Sequence, residues 1–439
     1  MNRDRPTKRI AFETLGCKLN QYETDAIATA VVHQGYEAVP LESGADAYVI
    51  NSCTVTNKAD RKSRNTINRA LRFANTHAPV IVTGCFVDSS PVADNRVHYW
   101  VNNEHKNTIP QLLDAHFRGE TVDPHTLNAD PFDFAPPARI FHTRTNLKVQ
   151  DGCDNFCTFC IIPFVRGRAQ SRPVREVLRE AETAIAGGSR ELVLTGVNMS
   201  RYSHEGDSFV SLLEQLLAVP GDFRVRISSL EPDQLDERFI ELFQHEKMCP
   251  HLHLCLQSGS NRILLKMRRM YTREGYDAVV RGLRQHDSRF NITTDIIVGF
   301  PGEDEGDMAE TLEAVRTYTF GHVHIFPYSL RSGTRAERLP GTVSPMDKSV
   351  RSATLQREAL AAKETYRRSL IGTVQRVLVE KVEHLPGHET PHATGLGEYY
   401  VPVSFPHSSA EPNSMVHVRI TGIDTEEKGY TLLGEPLTL

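Results

Sequence analysis

The chain has 439 residues, with 39% hydrophobic and 24% charged content and a formal net charge of −5. That length supports roughly two to four domains with large cores, so folding does not depend on disulfide staples. The charge excludes a protein that grips nucleic acid by bulk attraction, and no apolar run approaches the ~18 residues of a membrane span.

The N-terminus, Met1 to Arg9, is basic and carries no apolar signal core, which predicts a cytoplasmic address. In that reducing compartment the eight cysteines are not expected to pair as disulfides, and the clustered ones read as metal or cluster ligands. Strand-like runs at Ile10 to Leu15, Ala47 to Asn51 and Val80 to Thr83 are each followed by a helical stretch, which implies a parallel sheet over residues 1–125. Asp123 to Pro137 lacks periodicity and is rich in Pro and Asp, so it reads as a linker.

Over residues 139–370 six further strand-helix pairs are predicted. The strands are Asn146 to Gln150, Glu191 to Thr195, Arg224 to Ser228, His251 to Gln257, Thr293 to Val298 and Val323 to Tyr328, and Pro345 to Ser369 is a closing helix. Six such units predict a partial (β/α)6 barrel working at the carboxyl ends of its strands. Residues 372–439 change to short alternating runs, Val374 to Val382, Glu398 to Val403, Val416 to Thr421 and Tyr430 to Leu433, and predict a small all-β module. This module holds four Lys or Arg against nine Asp or Glu, so the remainder of the chain is formally neutral.

The strongest chemical signal is Cys153-Asp154-Asn155-Phe156-Cys157-Thr158-Phe159-Cys160, just after the first barrel strand. Three thiolates so spaced wrap one compact centre and leave one iron of a 4Fe-4S cubane open. That vacancy is suited to chelating the amine and carboxylate of S-adenosylmethionine. Zinc is the competing ligand for thiolates, but no second C-x2-C pair is present to complete its shell. A second signal is Cys17, Cys53 and Cys85, each immediately beyond a predicted parallel strand, where strand ends line one crevice and three thiolates converge on a second cluster. The competing reading is three small buried hydrophobes.

With these motifs the chain resembles the radical S-adenosylmethionine methylthiotransferase family over essentially its whole length. Thr14-Leu15-Gly16-Cys17-Lys18-Leu19-Asn20-Gln21-Tyr22-Glu23-Thr24 and Asn51-Ser52-Cys53-Thr54-Val55-Thr56-Asn57-Lys58-Ala59-Asp60-Arg61-Lys62-Ser63-Arg64 are most similar to the tRNA threonylcarbamoyladenosine branch. The resemblance implies an N-terminal cluster domain, a radical domain and a C-terminal TRAM (OB-like) module. It also implies two 4Fe-4S clusters, S-adenosylmethionine, an electron donor such as a flavodoxin or ferredoxin, a sulfur source, and the anticodon loop of tRNA as substrate. The expected reaction adds a methylthio group to C2 of the hypermodified adenosine. Isopentenyladenosine in tRNA and a ribosomal-protein aspartate are the alternative targets of the same chemistry, and a non-catalytic metal-stabilised RNA-binding protein is the alternative of another class.

Phe159, Thr195, Gly196, Asn198, Gln257, Ser258 and Gly299 are the candidate cofactor contacts, although the acid that many radical enzymes place after the second strand is absent at Thr195-Gly196-Val197-Asn198. Arg166 and Arg168 are candidates for holding the substrate or the cofactor carboxylate. Arg61, Lys62, Arg64, Arg69 and Arg72, with Arg172, Arg175 and Arg179, are basic candidates for tRNA phosphates, with a solvated helix face as the plainer expectation. His251 and His253, His322 and His324, and Cys249 and Cys255 are assigned to packing and hydrogen bonding. Tyr399, Tyr400 and Phe405 are expected in the core of the β module rather than stacked on bases.

Overall fold

A computed structural model of the chain describes residues 7–89, 94–136, 141–384, 390–425 and 429–437. The chain packs into two units. The first takes the described residues up to Gly187, with Thr195–Val197 and Leu330–Glu337, and the second takes the rest.

The first unit is built on five parallel strands in the order β2-β1-β3-β4-β5, with β1 at Arg9–Thr14, β2 at Glu37–Pro40, β3 at Ala47–Ser52, β4 at Val80–Gly84 and β5 at Tyr99–Val101. Every residue of β3 and β4 is buried, as expected of parallel strands covered on both faces. One face packs Ile10, Phe12 and Val49 against Ile27, Val31 and Leu112, and the other packs Ala11, Tyr48 and Ile50 against Ile67 and Ala70. Helices α1 (Lys18–His33), α2 (Asn57–Phe73), α3 (Cys85–Ser89) and α4 (Ile109–Phe117) supply these layers. The edge strands β2 and β5 have four and three residues, too short for a period to show in the sequence.

The predicted linker packs on this unit as far as it is described. Phe134 meets the Tyr22 ring edge-on at 5.9 Å, and the Lys148 ammonium lies 5.4 Å from the Phe132 and Phe134 rings. The expected boundary at residue 139 lies outside the described residues. The unit continues through β6 (Thr145–Lys148), β7 (Gln150–Asp151), α5 (Ile162–Val165), β8 (Gln170–Ser171) and α6 (Val174–Ala186).

In the second unit β9 (Glu191–Thr195) carries a parallel β12 (Arg224–Ile227) through residues Glu191 to Leu194, with a two-residue hairpin, β10 (Ser203–His204) and β11 (Asp207–Ser208), and α7 (Phe209–Ala218) between them. Helix α8 (Glu237–Glu241) follows β12, and β13 (His251–His253), β14 (Asn291–Val298) and β15 (His322–Pro327) form a parallel sheet. Helices α9 (Asn261–Lys266), α10 (Arg273–His286), α11 (Glu305–Tyr318) and α12 (Pro345–Arg368) complete the strand-helix repeat. This is the α/β architecture expected, with β13 shorter than predicted because the chain beyond His253 makes isolated bridges, Leu230 to Leu254 and Gln257 to Ile296, in place of a regular ladder.

A closed five-stranded barrel ends the chain, in the order β16-β17-β18-β20-β19, with β16 at Val374–Glu383, β17 at His392–Leu396, β18 at Pro402–Pro406, β19 at Met415–Ile423 and β20 at Leu432–Pro436. Two predicted strands begin late, and the cause is local. Tyr400 at φ 60° and Tyr430 at φ 52° sit in the left-handed region, which ends an extended run. Strand β17 lies between two of the predicted runs, where His, Pro and Gly obscure any alternation. Phe405 is fully buried in the core of the β module and Tyr399 packs against it, as expected, whereas Tyr400 lies outside that core and packs on His251, ring centroids 4.6 Å apart, under the Arg226 guanidinium.

Two buried arginines hold this barrel within its unit. Arg224 Nε and Arg226 Nε donate to the Glu191 carboxylate at 2.6 and 2.7 Å. Their outer nitrogens donate to main-chain oxygens of the barrel: Arg224 to Arg376 and Leu396 at 2.6 and 2.9 Å, Arg226 to Glu398 and Gly397 at 3.1 and 3.2 Å.

Candidate functional site

Three adjacent strands of the first unit end in cysteine. Cys17 follows β1 and occupies the N-cap of α1, Cys53 follows β3, and Cys85 follows β4 as the first residue of α3. Because β1, β3 and β4 are neighbours in register, their carboxyl ends converge, and the three thiols act on one another electrostatically. Burial pushes the Cys53 thiol up to about 11, with Cys85 and Cys17 adding to the rise. Burial raises Cys85 as well, while Arg166 and Lys106 oppose it.

Glycine makes this approach possible. A Cβ on Gly16, at φ +102°, would lie 2.9 Å from the Cys53 Cβ, and one on Gly84, at φ +98°, would lie 2.3 Å from the Ser52 carbonyl oxygen. Gly84→Ala is therefore expected to destabilise the protein by about 2–4 kcal/mol, through backbone strain and overpacking, read as a lowered urea midpoint. An unchanged midpoint would mean that the β3–β4 contact is looser than described. Asn20 holds the same turn from α1, its amide donating to the carbonyls of Leu15 at 2.8 Å and Ser52 at 3.0 Å.

Behind the thiols lies a fully buried charge network. Glu23 receives Lys106 at 2.5 Å, Lys148 at 2.9 Å and Arg166 at 3.0 Å, and Asp151 receives Lys148 at 2.6 Å and Arg166 at 2.9 Å. Burial alone would raise the Glu23 carboxyl, but Arg166, Lys106 and Lys148 hold it well below the usual carboxylate range. Arg166 and Lys106, with Asp88 as a third carboxylate beside them, oppose the rise that burial imposes on the Cys85 thiol. The Asn103 amide also points at the Cys85 sulfur, 3.7 Å away.

The second triad lies in the same unit, on the loop after β7. The Cys153 amide donates to the Gly167 carbonyl at 3.1 Å, the Cys160 amide to the Cys157 carbonyl at 3.0 Å, and the Asn155 amide points at the Cys153 sulfur at 3.5 Å. Cys157 is buried and its two companions are half-buried. Gly152, at φ +67°, admits the Arg168 carbonyl within 2.0 Å of where a Cβ would stand, so again a glycine directly precedes a ligand candidate. Gln150 bridges to the following strand: its side chain accepts from the Val197 amide at 2.9 Å and donates to the carbonyls of Asp151 and Gly152 at 2.8 Å. That fixes Thr195 and Gly196 against the cysteine loop, where Phe159 is half-buried.

The remaining cofactor candidates, Asn198, Gln257, Ser258 and Gly299, lie in the second unit. Gln257, at φ 63°, donates its amide to Asp295 at 2.8 Å and is followed by buried Ser258, while the Gly299 amide donates to Glu303 at 2.9 Å. Asn198 is buried beside Ser200 at 2.9 Å. Arg166 differs from a free substrate-holding residue, since its guanidinium is buried and engaged by Glu23, Asp151 and Asn20. Arg168 is exposed, paired with Asp154 at 2.6 Å and set over the Phe156 ring at 5.8 Å. On α2, Arg61, Lys62, Arg64 and Arg72 are exposed and Arg69 pairs with Glu13 at 3.4 Å. Sequence reasoning did not single out Glu23, Lys106, Lys148 or Asp151. Two of them stood inside or beside the cysteine motifs, Glu23 in the segment after Cys17 and Asp151 two residues before Cys153.

Residues 147–315 match the radical SAM superfamily, and residues 9–98 match the uncharacterized protein family UPF0004. The chain is 40% identical over 346 residues to threonylcarbamoyladenosine tRNA methylthiotransferase MtaB of Bacillus subtilis, covering 76% of each chain. It is 34% identical over 390 residues to tRNA-2-methylthio-N(6)-dimethylallyladenosine synthase of Natranaerobius thermophilus, covering 85% of this chain and 86% of that protein. Among solved structures, the radical S-adenosylmethionine methyltransferase TsrM from Kitasatospora setae superposes with a TM-score of 0.56 at 16% identity, covering 75% and 77% of the two chains, a likeness of fold.

Proposed function

This chain belongs to the threonylcarbamoyladenosine tRNA methylthiotransferases of the radical S-adenosylmethionine superfamily, and from that membership we propose that it adds a methylthio group to C2 of threonylcarbamoyladenosine beside the anticodon. The observation that carries the reading is the convergence of Cys17, Cys53 and Cys85 at three adjacent strand ends in the unit that also holds the Cys153, Cys157 and Cys160 loop.

The donor sets fit two 4Fe-4S clusters, since each offers three sulfurs and the first stands beside the buried cations Arg166 and Lys106. When bound, the clusters supply the electron that cleaves S-adenosylmethionine and a site at which sulfur is held for transfer. The protein's own residues do the positioning. Glu23 and Asp151 hold Arg166, and Glu23 holds Lys106, which keeps both cations beside Cys85. Phe159, Thr195 and Gly196 in the first unit, and Asn198, Gln257, Ser258 and Gly299 in the second, are the residues that would contact S-adenosylmethionine by the family resemblance. Arg168 and the exposed cations of α2 meet RNA phosphates, which gives salt-dependent affinity without sequence reading. A flavodoxin or ferredoxin delivers the electron, and a separate source supplies sulfur. No helix among the described residues is long and apolar enough to cross a membrane.

Nucleoside analysis of tRNA from a strain lacking the protein tests the assignment. Threonylcarbamoyladenosine should accumulate as its methylthio derivative disappears, with methylthio-isopentenyladenosine unchanged. Loss of the latter alone would reassign the substrate.

A further inference from the structure

The second unit presents a polar strand face that the proposed chemistry has not used. His251 and His253 of β13, Thr293 and Asp295 of β14, and His322 and His324 of β15 alternate with Leu252, Ile292, Thr294, Ile296 and Val323, which are buried in the core. The register sets Thr293 beside both His253 and His322, and Asp295 beside His324. His253, Asp295 and His324 each bring a ligand atom within 4.8 Å of the others, and His322 and His324 stack edge-on at 4.3 Å. The Thr293 hydroxyl meets His253 Nδ1 at 3.0 Å, which leaves His253 Nε2 facing Asp295 at 3.2 Å.

Charge decides what this face would take. Lys363 and Arg367 of α12 both act electrostatically on His322, and Lys363 acts on His324 as well. Lys363 is 9% exposed and forms no ion pair with a carboxylate among the described residues. Arg367 donates to the carbonyls of Gly429 and Tyr430, and its Nε is buried with no partner. Burial lowers Lys363 to about 8, with Arg367 adding to the fall, and lowers His322 to about 4, with His324, Lys363 and Arg367 adding to it. Against these cations and imidazoles the strand face sets one carboxylate, Asp295. A divalent cation would add to the excess of positive charge, whereas an anion would relieve it. His324 remains exposed, so the face is open to a ligand.

We propose that His322, His324 and Lys363 form a subsite for a carboxylate, and that its ligand is the free carboxylate of the threonyl group on the substrate adenosine. The proposal rests on the activity assigned above and extends it to the recognition of the substituent. Threonine joined through its amine to a carbamoyl group keeps its carboxylate and hydroxyl, whereas an isopentenyl group has neither. His324 lies three residues before Pro327, the last residue of β15, on a strand rising about 3.3 Å per residue, so the subsite is roughly 10 Å below that strand end. A polar site of this kind rejects a substituent that cannot satisfy it, because its buried groups are left unpaired.

The test uses reconstituted holoenzyme and anticodon stem-loop RNAs carrying either threonylcarbamoyladenosine or its methyl ester. Binding is followed by fluorescence anisotropy without reductant, and product by nucleoside mass spectrometry. The acid should bind about 10- to 100-fold more tightly than the ester. Lys363→Met and His324→Phe should each shrink that preference to about threefold or less, by weakening the acid and sparing the ester. Equal binding of acid and ester by the unaltered enzyme would overturn the subsite even if both RNAs gave product, and no variant is needed for that result. Zinc or manganese present in the holoenzyme and lost in Asp295→Ala would overturn it in favour of a cation site. Absence of product from the acid RNA, with product from an isopentenyladenosine RNA, would remove the activity on which the subsite rests.

Discussion

Cys157→Ala enzyme, reconstituted with iron and sulfide, is expected to carry about four irons per chain instead of about eight. It should release no deoxyadenosine from S-adenosylmethionine, with turnover reduced by more than ~10³. Cys157 is the buried member of its triad, and its loss leaves Cys153 and Cys160, two thiolates for a centre that needs three. The triad of Cys17, Cys53 and Cys85 is held by different strands, so its iron and its visible absorption should survive. A variant that loses all iron would show that the two centres assemble together, and one that keeps both would remove Cys157 from the ligand set.

Arg166→Met should be the most damaging change away from sulfur. Arg166 supplies hydrogen bonds to Glu23, Asp151 and Asn20, and no water reaches Glu23 to replace them. Removing one partner of a buried network costs about 3–5 kcal/mol, because the carboxylates left behind are desolvated and incompletely paired. In a domain of this size that is roughly 10 °C in melting temperature. The pH dependence has a definite sign. Glu23 is held below its ordinary value by Arg166, Lys106 and Lys148, so its stabilisation is present above about pH 4.3 and fades as pH falls toward the depressed value. The variant should show a smaller loss of stability between pH 6 and about pH 3 than the unaltered protein. Equal slopes in the two would mean that Glu23 is not held by Arg166. Because Arg166 also acts on Cys85, the surviving folded fraction should retain less iron at the first triad.

Much of this was visible in the residues themselves, and the reasons are specific. Strands β3 and β4 are unbroken apolar runs bounded by a cysteine, so their existence and their carboxyl ends were readable together, and with them the convergence of the thiols. Asp295 was hidden because it sits in Thr-Thr-Asp-Ile-Ile-Val, where one polar residue on a central strand reads as an ordinary alternation. The H-x-H pairs were noticed and assigned to packing. Their packing is real, through Thr293 and Tyr400, but only the register of β13 on β14 and β14 on β15 joins the pairs to Asp295, and only the packing of α12 brings Lys363 to them. Arg166 stood beside the cluster loop in sequence, and the reading of it as a substrate ligand followed from that proximity. Its carboxylate partner Glu23 is 143 residues away and carries no local sign of the pairing.

The hydrogen bonds that the two arginines make to the terminal barrel all go to peptide oxygens, and Arg226 also lies over the Tyr400 ring. Away from Tyr399 and Tyr400 such a grip is indifferent to which side chains the barrel wears, so its outer face is at liberty to drift over evolutionary time while its seat stays constant. Hybrids in which that face is exchanged for one from a distant relative should dock and fold as long as the chain path from Gln375 to Arg376 and around Leu396 to Glu398 is preserved.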